Sequence, residues 1–168
     1  VCLEDKKFPK TNSFLENDLN ALAPVEEFVG KIKAVKDAQE SKDFTVIARL
    51  EALNVRAGME EALNRAYAYH EAGVDAILVH SKHADGREIY EFLRKFDGDI
   101  PIFLIPTKYY LEPVAKLTAD KRVRGLIWDN QNIRACLARM RQVCARIYSE
   151  GTIAGVEDSI STVADAGS

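Results

Sequence analysis

Five short apolar runs rich in β-branched residues recur along the chain: VCLE (1–4), TVIARLEAL (45–53), AILVHS (76–81), IFLIPT (102–107) and GLIWDN (125–130). Each is apolar almost throughout rather than alternating, as a strand is when both of its faces are covered. Between them lie segments with helical spacing. PVEEFVGKIKAVKDAQES begins with Pro24 near a first turn and repeats Val25, Phe28, Val29, Ile32 and Val35 on one face. MEEALNRAYAYHEAG repeats Leu63, Ala66 and Tyr67 and stops at Gly73. GREIYEFLRKF and LEPVAKLTAD read as shorter helices. QNIRACLARMRQVCARIYSEG sets Ile133, Leu137, Met140, Cys144 and Ile147 on one stripe and ends at Gly151. Strand followed by helix, five times over, implies repeated βαβ units and an α/β fold with a parallel sheet. An open doubly wound sheet and part of a (β/α)8 barrel both satisfy this pattern. In either, chemistry collects at the carboxyl ends of the strands.

Those ends are polar without exception. The first delivers Glu4, Asp5 and Lys6, the second Arg49 and Glu51, and the third His80, Ser81 and Lys82. The fourth delivers Thr107 and Lys108, and the fifth Asp129 and Asn130. No Gly-x-Gly-x-x-Gly loop follows any strand, which weighs against a dinucleotide site. Arg49 stands inside an apolar run, where a guanidinium needs an anion to meet it. That anion is either Glu51, in an internal ion pair, or a carboxylate or phosphoryl group of a substrate. His80 can likewise be a hydrogen-bonded core residue or an acid/base or anion-binding group. His70 and His83 read as solvated. Glu4 and Asp5 are neighbours on a strand and so face opposite sides; at most one of them looks into a barrel, where it could meet a hard cation directly or through water. After them, Lys10, Asn12 and Ser13 supply one cation and two short polar side chains on a loop restrained by Pro9, a set suited to holding an anion while its charge moves.

Composition adds limits. With 168 residues, 47% hydrophobic and 29% charged, the chain is of ordinary globular make-up, and one domain over residues 1–168 accounts for it. A net charge of −3 with mixed signs leaves no footprint for nucleic acid. No apolar run approaches the ~20 residues that span a bilayer. Cys2, Cys136 and Cys144 lack metal-ligand spacing, and Cys136 and Cys144 would lie roughly 12 Å apart along a helix, too far for a disulfide. They read as reduced core thiols of a cytoplasmic protein.

The stretch EDKKFPKTNS (Glu4–Ser13) resembles the signature of the phosphoenolpyruvate mutases, in the isocitrate lyase/phosphoenolpyruvate mutase superfamily. IARLEAL (47–53), EALNRAYAYHEAGVDAILVHSK (61–82), PTKYY (106–110), IWDNQNIRA and EGTIAGVEDSI are similar to that family in the same order. The resemblance implies a (β/α)8 barrel, here its last five βα units, with a terminal helix exchanged between subunits of a homo-oligomer. It implies interconversion of phosphoenolpyruvate and phosphonopyruvate, a phosphorylated or phosphonate 2-oxo acid pair, with Mg2+. Matched residue by residue, Glu4 takes the part of the acid that holds Mg2+ through water. Lys10, Asn12 and Ser13 take the part of the loop that closes over substrate, and Arg49 and His80 that of the residues gripping its anionic groups. The Cys-containing loop of the lyases is missing, and Asn12 favours a mutase over a phosphonopyruvate hydrolase. A barrel of this type needs ~250 residues, and the Asp-bearing early strands have no counterpart in the sequence. The expectation is therefore a carboxyl-terminal portion, inactive alone, or else a catalytically dead half-barrel that acts as an interaction module.

Overall fold

The computed structural model describes residues 1–10 and 21–166. By the clustering of its contacts the chain divides into two compact units, Val1–Asp129 and Asn130–Ser168.

In the first unit, five strands, β1 (Cys2–Glu4), β2 (Ile47–Leu50), β3 (Ala76–Val79), β4 (Ile102–Leu104) and β5 (Val123–Leu126), form one sheet. Every pairing is parallel and the spatial order is the chain order, β1-β2-β3-β4-β5. A doubly wound sheet reverses its strand order at a switch point; this one does not. The helices between the strands are α1 (Val25–Asp37), α2 (Met59–Glu71), α3 (Arg87–Lys95) and the single turn α4 (Val114–Leu117). In α1 and α2, acidic residues stand in the first turn and Lys36 or His70 in the last, complementing the helix dipole. Gly73, at φ +91°, ends α2 in the left-handed region that other residues avoid.

The register separates the sheet into two faces. Leu3, Ala48, Ile77, Ile102 and Val123 are aligned across the strands. They, their i+2 neighbours Leu50, Val79 and Leu104, and Leu126, which lies three residues after Val123 past an irregularity in the β4–β5 register, pack with Phe28 and Ile32 of α1, Ala62, Ala66 and Tyr69 of α2, and Ile89, Phe92 and Leu93 of α3. That is the hydrophobic core. The alternate row, Glu4, Arg49, Leu78, Phe103 and Gly125, points the other way, and none of its members belongs to this cluster. Helices on one face only, over sequential parallel strands, are the arrangement of a (β/α)8 barrel wall with its lumen face on the other side. Gly125 is part of that inner packing, because a Cβ there would stand 2.5 Å from the Phe103 ring.

The second unit is built on α5 (Gln131–Glu150), which closes at Gly151 with φ +67°, followed by α6 (Ala154–Glu157) and α7 (Val163–Ala166). Val156 is buried in this unit, and Arg139 Nη2 donates to the Ser159 carbonyl at 2.5 Å.

Several details differ from the sequence reading. The run 45–53 is a strand only over Ile47–Leu50 and then turns, because Asp5 takes the Glu51 N–H out of the ladder at 2.9 Å. LEPVAKLTAD supplies one turn, not a full helix. The three cysteines are free but exposed, not core thiols. In the second unit no described residue of α5 is buried, and Ile133, Leu137 and Met140 of its stripe are 56%, 44% and 53% exposed. No helix among the described residues is long and apolar enough to cross a membrane.

Phe28 fastens α1 to α2, its ring centroid 4.7 Å from that of Tyr69. Phe28→Ala in the full-length protein should cost about 3–5 kcal/mol, read as a lower urea midpoint at unchanged m-value. A loss below about 1 kcal/mol would show that the two helices are held by other means.

Candidate active site

The inner row continues past the ends of the strands. Glu4 is followed two residues on by Lys6, Arg49 by Glu51, and Leu78 by His80. Contacts between i and i+2 confirm the shared face. Lys6 Nζ lies 3.6 Å from Glu4 Oε1, and Arg49 Nε donates to Glu51 Oε1 at 2.7 Å. Lys10, on the loop after β1, brings its Nζ to 4.0 Å from Glu4 Oε2. Lys6, Glu51 and His80 are buried, Glu4 and Arg49 are half-buried, and Lys10 is exposed. Three cations and two carboxylates thus converge at the carboxyl end of β1–β3, where a barrel places its chemistry.

Arg49 answers both readings of its sequence at once. Its Nε belongs to Glu51, while neither Nη group is engaged by a described residue. Burial works against its charge, but the adjacent Glu51 and, further off, Glu4 outweigh that and push its pKa above the ordinary value. The guanidinium is therefore a permanent cation with an unspent pair of donors, the geometry of a carboxylate or phosphoryl clamp.

His80 is a neutral imidazole at physiological pH. Burial removes the water that would stabilise its cation, and the Arg49 charge opposes protonation further. Together they lower its pKa to about 4, against a partial pull upward from Glu51, Asp129 and a hydrogen bond with the Ile105 backbone. It adds a polar ring to the site without bringing a second full charge.

Asp5 faces the other way, as strand alternation requires. It is fully buried under α2, where Oδ1 accepts the Glu51 N–H at 2.9 Å. Its Oδ2 accepts from the Tyr69 hydroxyl at 2.9 Å and from Arg65 Nη1 at 3.2 Å. Burial raises its pKa, and the three donors act against that rise. Asp5 is therefore a structural anchor and Glu4 the one acid of the pair on the inner face. Asn12 and Ser13 lie outside the described residues.

Sequence reasoning missed Asn54, whose Nδ2 donates to Glu51 Oε1 at 3.1 Å, and the Arg65–Tyr69 pair behind Asp5. The spacing of Arg65 and Tyr69, four apart on α2, was the only available signal. Asn54 sits in an irregular turn that no periodicity marks.

For a divalent metal, the described residues hold no group of three or more His, Cys, Asp or Glu side chains. Glu4 has an ammonium near each carboxylate oxygen. That environment suits one contact through water rather than direct ligation, and it does not make a complete centre.

Comparison with known proteins gives the family. The sequence profile described as phosphoenolpyruvate phosphomutase matches residues 1–148. The chain belongs to the phosphoenolpyruvate phosphomutase family. It is 47% identical over 161 residues to the phosphoenolpyruvate phosphomutase of Streptomyces hygroscopicus, covering 96% of this chain and 51% of that one. It is 40% identical over 163 residues to the phosphonopyruvate hydrolase of Variovorax sp., covering 97% of this chain and 56% of that one. Among solved structures, the phosphoenolpyruvate phosphomutase of Streptomyces platensis subsp. rosaceus superposes with a TM-score of 0.94 at 37% identity, covering 99% of this chain and 57% of that one. A phosphonopyruvate hydrolase complex with oxalate and Mg2+ superposes at 0.88 with 40% identity, covering 98% of this chain and 56% of that one. The chain spans about half the length of the family members it matches.

The depressed pKa of His80 makes a signed prediction. Above pH 6.5 the imidazole is neutral in folded and unfolded states alike. As pH falls from 6.5 toward 4, the unfolded state takes up a proton that the folded state refuses, and stability drops, by up to about 2 kcal/mol at pH 5. The His80 ring signals should titrate near pH 4 in NMR, and His80→Gln should flatten the stability slope between pH 6.5 and 5. A midpoint of 6 or higher would contradict the site as described.

Proposed function

We propose that this chain is the carboxyl-terminal part of a phosphoenolpyruvate mutase, which moves a phosphoryl group between the enol oxygen of phosphoenolpyruvate and the methylene carbon of phosphonopyruvate. The observation that carries the reading is the pairing of an Arg49 whose two Nη groups no described residue engages with a neutral, buried His80 on adjacent strand ends of the inner face. The substrate is a dianion or trianion of small size. Arg49 grips its carboxylate in a fork of two hydrogen bonds. His80 sets its neutral ring beside the reacting groups, adding no second full charge as the P–O bond breaks and an enolate forms. The enolate carbon then closes the C–P bond, so that the bond broken and the bond formed share one phosphoryl group and no water enters the balance.

A phosphoryl in flight is loosely bonded and metaphosphate-like, and it must be guided by fixed donors and kept from water. Lys10 supplies one mobile cation beside Glu4. Asn12 and Ser13, from the same Lys-Thr-Asn-Ser wording, complete that set in this reading. Mg2+ is the proposed cofactor, with Glu4 as a water-mediated contact and the remaining ligands outside the described residues. The exposed stripe Ile133, Leu137 and Met140 on α5 supports a homo-oligomer in which this helix is covered by another subunit.

A phosphonopyruvate hydrolase is the second reading, because a hydrolase is 40% identical over 97% of the chain. The identities to phosphomutases, 47% and 45%, and Asn12 in the loop favour the mutase. Phosphorus NMR of the full-length protein with phosphonopyruvate separates them. A phosphoenolpyruvate signal is expected, and inorganic phosphate with pyruvate alone would overturn the mutase reading. Asn12→Ala should lower kcat by about 10²-fold or more while KM changes a few-fold. Unchanged turnover would remove the loop from the chemistry.

A further inference from the structure

Glu51 is a charged side chain that is costly to bury. It is fully buried, its Oε2 has no hydrogen-bond partner among the described residues, and its charge rests on Arg49 and Asn54 through Oε1 alone. Burying a carboxylate is unfavourable unless it is paired and hydrogen-bonded. A buried ion pair, in turn, commonly stabilises no better than an apolar pair of the same volume. Stability is thus a poor account of Glu51. Geometry is a better one. A single bond from Nε fixes the rotation of a guanidinium plane and leaves its two Nη groups as the outward edge. Glu51 is itself held from behind: its N–H is taken by Asp5, and Asp5 by Arg65 and Tyr69 of α2. The residue that aims Arg49 is therefore tied to the helix layer through its backbone N–H and to Asn54 through its carboxylate.

We propose that Glu51 is a positioning residue. Through Nε it orients Arg49 so that both Nη groups meet a carboxylate of the substrate, and Asn54 fixes the carboxylate of Glu51 in turn. The proposal rests on Arg49 being the substrate clamp, as in the function proposed above, but it holds for mutase or hydrolase chemistry alike.

A double-mutant cycle in the full-length enzyme tests it, with oxalate in the presence of Mg2+ as the probe and calorimetric affinity as the readout. Glu51→Gln keeps the shape and removes the charge; Arg49→Lys keeps the charge and removes Nε. Glu51→Gln should weaken oxalate binding by about 10- to 100-fold in the wild-type background and by less than about 3-fold in the Arg49→Lys background. Equal losses in both backgrounds would mean that Glu51 acts only on the fold, and would overturn the proposal, as would unchanged affinity. Should Glu51→Gln fail to fold, Asn54→Ala takes its place. A loss of oxalate affinity that depends on Arg49 supports the proposal, and no loss, or a loss independent of Arg49, rejects it. Because oxalate binding involves no turnover, this result is separate from the phosphorus NMR result that decides between mutase and hydrolase.

Discussion

The carboxylate of Asp5 joins three elements that are distant in sequence. It stands at the end of β1, accepts the backbone N–H of Glu51 at the end of β2, and accepts two side-chain donors from α2. Removing the carboxylate would leave a buried backbone donor unpaired and take from the buried Arg65 guanidinium one of its two carboxylate partners, the other being Glu61. The same bond sets where β2 stops, and so where Glu51 turns inward. What lies on the other face, Arg49 and Glu51 beside Glu4 and Lys6, inherits its placement from this anchor.

The two faces of the sheet divide the labour. On the helix side, packing is apolar and dense, with Asp5, Arg65 and Tyr69 as a small polar island whose donors and acceptors are matched. On the inner side, charge predominates near the strand ends and apolar residues, Leu78 and Phe103, lie one layer deeper. A low-dielectric floor under a ring of charges strengthens the interaction of those charges with a small anion. Neutral His80 beside cationic Arg49 follows from the same environment: two buried cations side by side would repel, and the imidazole gives up its proton first.

Much of this was legible in the sequence because it obeys simple periods. Non-alternating apolar runs separated by helical spacing fixed the α/β class and the parallel sheet. The polar residues closing the runs marked the candidate site, and alternation placed Glu4 and Asp5 on opposite faces. What was not legible depends on turns and on tertiary partners. Nothing in TVIARLEAL announces that the strand ends at Leu50, because its termination is imposed by Asp5, some 46 residues away. Asn54 joins the site from a turn without a pattern. Cys2, Cys136 and Cys144 looked like core residues because cysteine is usually buried, yet all three are exposed in this chain. The stripe on α5 has the period of a packed helix but is exposed among the described residues, since periodicity records that a face is to be buried and not against what.

In the function proposed above, Arg49, aimed by Glu51, is the anion clamp of the site. A crystal structure of the full-length protein with oxalate and Mg2+ tests this most directly. Both Nη groups of Arg49 should lie within about 3 Å of oxalate oxygens, with Nε still on Glu51 and His80 within hydrogen-bond reach of the ligand. Oxalate bound away from Arg49, or an Arg49 that leaves Glu51 to reach it, would contradict the account.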